Sequence, residues 1–138
     1  MRRFRFAPIV HLSVQGSQGL DAWVARGPVG RLVGLAGLAG LPPGSALLIP
    51  RCASVHTVAM RFAIDVAFLA WPPVSGSCEV VATHDGLPGM RIVGVGLRAA
   101  RWTAALEAPA GVLAALGVRP GGRVTVSGPP SAGVTFRA

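Results

Sequence analysis

The chain has 138 residues, 51% of them hydrophobic and 13% charged, a length suited to one domain and a balance that excludes a disordered, charge-rich polymer. Its formal charge of +8 comes from 13 arginines, with no lysine at all, set against Asp21, Asp65, Glu79, Asp85 and Glu107. That excess would favour polyanions, but beyond Arg2, Arg3 and Arg5 the arginines are scattered singly, without the basic, aromatic-interleaved stripe of a single-strand binder, so nucleic acid is not the expected partner.

In chain order, residues 1–19 read as a starting strand near Phe4–Val14, or a loosely attached arm, closed by the polar GSQG turn. Residues 20–138 read as the single β domain. Gly30–Leu38 places Leu32, Leu35 and Leu38 at three-residue spacing, predicting a short helix with one leucine stripe. LPPGS follows as a turn into the strand SALLIP, with Gly44 free to take positive φ. The uncharged window 32–50 is long enough to span a membrane, but Pro42, Pro43 and Gly44 interrupt it, so no transmembrane segment is expected.

From Ser54 to Phe68 the chain alternates with period two. Val58, Met60, Phe62, Ile64, Val66 and Phe68 fall on one parity, predicting one continuous strand with an apolar face. WPPVSGS reads as a loop, CEVVAT as a strand and HDGLPG as a turn; RIVGVGL and WTAALE are further strands. Pro109–Leu116 is the second predicted helix, with Gly117 just past its end, and VRPGGRVTVS is a turn feeding a strand, with VTFRA as a candidate closing strand. The sum is a mainly β fold, a compact single-domain sandwich or barrel with two short helices.

The order of these blocks is familiar. GRLVGLAGLAGLPPGSALLIPRCASVHTVAMRFAIDVAFLA, followed by LEAPAGVLAALGVRPGGRV, resembles the small bacterial and archaeal proteins of domain of unknown function 192, over roughly residues 22–126. The resemblance implies a compact β domain and brings no established activity. Its recurrent positions match His56, Thr57, Met60, Asp65, Glu107 and Gly111. The chain departs from the family with Ala63 in place of proline, Gly122 in place of aspartate, and WPPVSGS in place of a short Asp-x-x-Gly hairpin, as a diverged member would.

Several chemistries can be weighed against these residues. Cys52, His56, Cys78 and His84 have C-x3-H and C-x5-H spacings that match no zinc motif, so no metal or cofactor is expected. The GLAGLAG run lacks both the spacing and the lysine of a phosphate loop. Two cysteines are too few for a disulfide scaffold, and the basic N-terminus lacks a convincing cleavage site, so reduced thiols and a cytoplasmic location are expected.

A hydrolase using His56 and Asp65 is the alternative enzyme reading. In a straight strand those two would lie about 30 Å apart at ~3.3 Å per residue, so the chain would have to fold back between them. No nucleophile elbow surrounds them. The favoured reading is a non-enzymatic ligand-binding or protein-interaction module, its ligand or partner unspecified, with His56, Thr57, Arg61, Asp65 and Glu107 as a candidate polar cluster in an apolar framework.

Overall fold

Alternating side chains from seven strands fill the inside of a closed barrel, because each strand carries its apolar residues at period two. The structure, a computed structural model, describes residues 4, 7–25, 27 and 34–128. The strands are β1 (Ile9–Ser13), β2 (Leu20–Val24), β3 (Ser45–Ile49), β4 (Ser54–His56), β5 (Ile64–Ala70), β6 (Ser77–Leu87), β7 (Ile92–Gly94), β8 (Thr103–Pro109) and β9 (Arg123–Ser127). The barrel order is β1-β2-β3-β8-β5-β6-β9, with β9 returning to β1; β2 and β3 run parallel and every other neighbour antiparallel. β4 and β7 form a separate two-stranded flap.

Val10, Leu12, Leu20, Ala22, Leu48, Ala67, Leu69, Leu106 and Val124 are among the interior residues, with Leu113 from the helix α1 (Val112–Leu116) closing over them. The space left beneath α1, bordered by Leu12, Leu20, Leu106 and Leu113, is about 10 Å³. It is apolar and no larger than a single water molecule needs, so this part of the barrel interior is a packed core and not a ligand chamber.

A second apolar layer covers the outside of the central strands. Leu47, Ile49, Val66, Phe68 and Ala105 point out of the barrel and pack against Val55 and Val93 of the flap and against Leu35 and Leu38. This is why β5 is buried on both faces. Its alternation is one of size and partner, Ala67 and Leu69 inward and Val66 and Phe68 outward, and not one of apolar against polar.

Three expectations are corrected here. The expected strand 54–68 is two strands in different sheets, broken at 57–63, where Ala59 takes φ 61° and the buried Thr57 turns its hydroxyl onto the flap. HDG is not a turn: β6 continues through it to Leu87, with register shifts that flip parity, so that Val80 faces inward and Ala82 outward. The second helix starts at Val112, not Pro109, because Pro109 still pairs with Ile64 in the barrel.

Of the first predicted helix, residues 30–33 lie outside the described residues and 34–37 form a turn; Leu35 and Leu38 pack in the apolar layer on the outside of the barrel. Residues 134–138 of the candidate closing strand also lie outside the described residues. A 3-10 helix spans Leu97–Trp102. No helix among the described residues is long and apolar enough to cross a membrane.

Two turns follow their local chemistry. Ser45 N–H donates to Pro42 O across Pro43-Gly44, and Gly122 N–H to Arg119 O across Pro120-Gly121, with Gly44 at φ 75° and Gly121 at φ 81°. Proline presets the first central residue and glycine accepts the left-handed second, the arrangement of a type II turn.

Candidate functional site

The five polar candidates occupy three separate environments. Asp65 is fully buried on the inward face of β5, the face it shares with its partner Ala108. Its Oδ1 accepts from Gly86 N–H at 2.8 Å and its Oδ2 from Leu113 N–H at 3.1 Å. The first donor sits in the second irregularity of the β5–β6 ladder, between the Val66–His84 and Ile64–Leu87 pairs, where Gly86 has φ 61°. The second belongs to the first turn of α1, whose N–H groups have no helical acceptor. One carboxylate therefore satisfies two backbone donors that the fold itself leaves over, and Arg61, which is exposed, is not its partner.

Thr57 is buried beneath the flap. Its hydroxyl donates to Pro88 O at 2.7 Å and accepts from Arg91 N–H at 2.8 Å, while Thr57 N–H donates to Arg91 O. It latches the 88–91 turn to the end of β4. His56 is exposed on the opposite face of that strand, paired with Ile92, and makes no side-chain hydrogen bond among the described residues. With both Asp65 oxygens engaged inside the barrel, His56 and Asp65 form no dyad.

Glu107 lies apart from both Asp65 and Thr57. It pairs with Leu47 on one side and Val66 on the other, so it shares their outward face and points away from Asp65. Only 4% of it is exposed, and its Oε2 has no hydrogen-bond partner among the described residues. Gly34, at φ 53°, approaches it closely: a Cβ there would lie 3.4 Å from Oε2. Burial without a compensating charge pushes the Glu107 carboxyl up to about 7. His84 lies in the same transverse row beyond Val66, its ring set edge-on to Phe68.

Neither cysteine is part of a disulfide. Cys52 donates its S–H to Ser54 O, and burial, opposed by Arg123, pushes the Cys78 thiol up to about 12, which leaves it protonated and unreactive near neutrality. Among the described residues no three His, Cys, Asp or Glu side chains come together to hold a metal ion.

Sequence reasoning selected Asp65, Thr57 and Glu107 individually, but their separation required the strand register. Gly86, Leu113 and Pro88 were missed because they act through backbone groups, which leave no trace in residue type.

Comparison with known proteins supports the fold. No curated protein matches the chain. A crystal structure from Sinorhizobium meliloti 1021, described as a "putative transcription regulator", has a TM-score of 0.67 at 20% identity, covering 86% of this chain and 92% of that one. A protein of unknown function from Novosphingobium aromaticivorans DSM 12444 has a TM-score of 0.67 at 17% identity, covering 90% and 96%.

Asp65→Ala removes the acceptor of two N–H groups and is expected to cost about 2–4 kcal/mol in urea unfolding, against near-neutral effects for Arg61→Ala. For Glu107 the raised value means that the folded state binds more protons than the unfolded state between pH 4.5 and about 7. Its contribution is most favourable below pH 4.5 and is lost as pH rises to about 7, roughly 3 kcal/mol in all. The stability gap between Glu107→Gln and wild type should widen in favour of the variant across that window; a flat gap would show an ordinary, solvated carboxylate.

The family described as "Uncharacterized ACR", DUF192, matches residues 10–126, and the chain, with its closed barrel and its HT…ID and LExPAG segments in place, belongs to that family.

Proposed function

We propose that this chain is a non-enzymatic ligand-binding module in which Glu107 receives a nitrogen donor, an ammonium, guanidinium or amide N–H, from the ligand. The observation that carries this reading is the buried Oε2, unpartnered among the described residues. An isolated buried carboxyl costs several kcal/mol unless something compensates it, and a compact fold with well-satisfied polar groups elsewhere has no structural need to keep one. A donor arriving at Oε2 would supply the missing hydrogen bond, and a cationic donor would also restore the ionised form at neutral pH.

The surroundings suit recognition better than turnover. Leu47 and Val66 flank the carboxyl on the sheet, and Gly34 approaches it without a side chain. Access would involve the 34–41 segment, a turn followed by irregular chain without strand or helix. A reaction would need a nucleophile or second titrating group beside Glu107; Asp65 faces the other side of the sheet, Cys78 belongs to the interior, and His84, on the same face, is separated from it by Val66 and the width of β5. The Sinorhizobium protein's description as a regulator is that protein's own; at 20% identity the likeness carries the fold alone.

Amide chemical-shift mapping with methylammonium, guanidinium and acetamide as probes tests the reading. Saturable shifts at Gly34, Leu47 and Val66 are expected for at least one probe in wild type and none in Glu107→Leu. Shifts that persist in the variant, or no response to any probe between pH 6 and 8, would refute it.

A further inference from the structure

The flap presents a surface unlike the rest of the molecule. Ile92 is 77% exposed, Met90 71% and Val58 44%. They cluster: Met90 N–H donates to Thr57 O, the 57–60 and 88–90 turns are in contact, and Ile92 pairs with His56 on the outer face. Exposed Arg61 and Arg91 flank the group, and no acid occurs in residues 54–62 or 88–95.

The backbone there is also incomplete. Val95 N–H bonds Ala53 O and Thr57 N–H bonds Arg91 O, so the bonded pairs of the ladder are the odd-numbered ones. His56–Ile92 and Ser54–Gly94 are then non-bonded pairs, whose N–H and C=O groups point out of the two-stranded sheet. On the β7 side, the N–H and C=O groups of Ile92 and Gly94 have no acceptor or donor among the described residues. Folded proteins ordinarily protect such an edge with charge, proline or a covering element, and this one carries an exposed isoleucine instead.

We propose that the outer edge of β7 takes an extended acidic segment of a partner protein as a third strand of the flap. Ile92 and Gly94 supply main-chain hydrogen bonds, Ile92, Met90 and Val58 supply apolar contact, and Arg61 and Arg91 pair with the segment's carboxylates. A second copy of this chain is disfavoured as the occupant, because edge-to-edge pairing would bring the same arginines together in a molecule of formal charge +8. The surface is solvent-exposed and independent of the Glu107 carboxyl.

Two labelled synthetic peptides test it, one alternating valine with glutamate and one alternating valine with lysine, titrated against the full chain by fluorescence polarisation and amide chemical shifts. The glutamate peptide should bind, shift Ile92 and Gly94, and weaken as salt rises; the lysine peptide should not bind. Ile92→Pro removes an outward N–H without touching a ladder bond and should weaken binding by roughly tenfold. The double variant Arg61→Glu, Arg91→Glu leaves the edge intact and should reverse the peptide preference, which decides the matter even where the proline variant fails to fold. Equal binding of both peptides, no binding of the glutamate peptide, or shifts elsewhere than β7 would overturn the proposal. Self-association that Ile92→Pro abolishes would overturn it in favour of a second copy.

Discussion

The Asp65 carboxylate is the interaction on which the capping of the barrel by α1 rests. A strand irregularity and a short helix each leave an N–H without a partner, and burying either unpaired would cost about 1–3 kcal/mol. Asp65 sits where both can be met at once, holding Gly86 of β6 and Leu113 of α1 from the strand between them. That positions α1 so that Leu113 seals the interior against Leu12, Leu20 and Leu106. It also stabilises the irregularity at the end of β6, from which the chain passes through the 88–91 turn into the flap. Thr57 then secures that turn from β4, so a line of polar-to-backbone bonds runs from the barrel interior to the flap.

Glu107 shows the opposite use of the same chemistry. It lies on β8 opposite Val66, the residue that follows Asp65, yet faces the other side of the sheet. Asp65 is buried with both oxygens bonded to backbone donors, whereas Glu107 is buried with one oxygen that has no partner among the described residues. The first arrangement holds a fold together. The second costs stability and has a use only if something else supplies the donor, which is why the binding reading centres on Glu107 and treats Asp65 and Thr57 as architecture.

Much of this was legible in the residues. Pro-Gly turns depend on local backbone preference, so PPG and RPGG revealed themselves, as did Gly117 at the end of α1, where φ is 87°. The mainly β character followed from short apolar runs between such turns. What could not be read was anything decided by distant partners. Nothing in SVHTVAMRFAIDVAF announces that Thr57 bonds a turn more than thirty residues away, and the break at 57–63 follows from that bond. The inward and outward faces of β5 are both apolar because a second layer covers the barrel, so period two remained visible while its meaning changed. Asp65 and Glu107 were both recognisable as costly, but only the pairing of Val66 with Glu107 puts them on opposite faces.

The central claim, that this domain keeps one saturated and one orphaned carboxylate back to back across its central strands, is tested most directly by a carboxyl-carbon NMR titration of Glu107 in the folded protein. A midpoint near 7 is the predicted result. A midpoint at the ordinary 4.5 would show that the side chain is solvated or already paired, and would remove the basis for a ligand at that position.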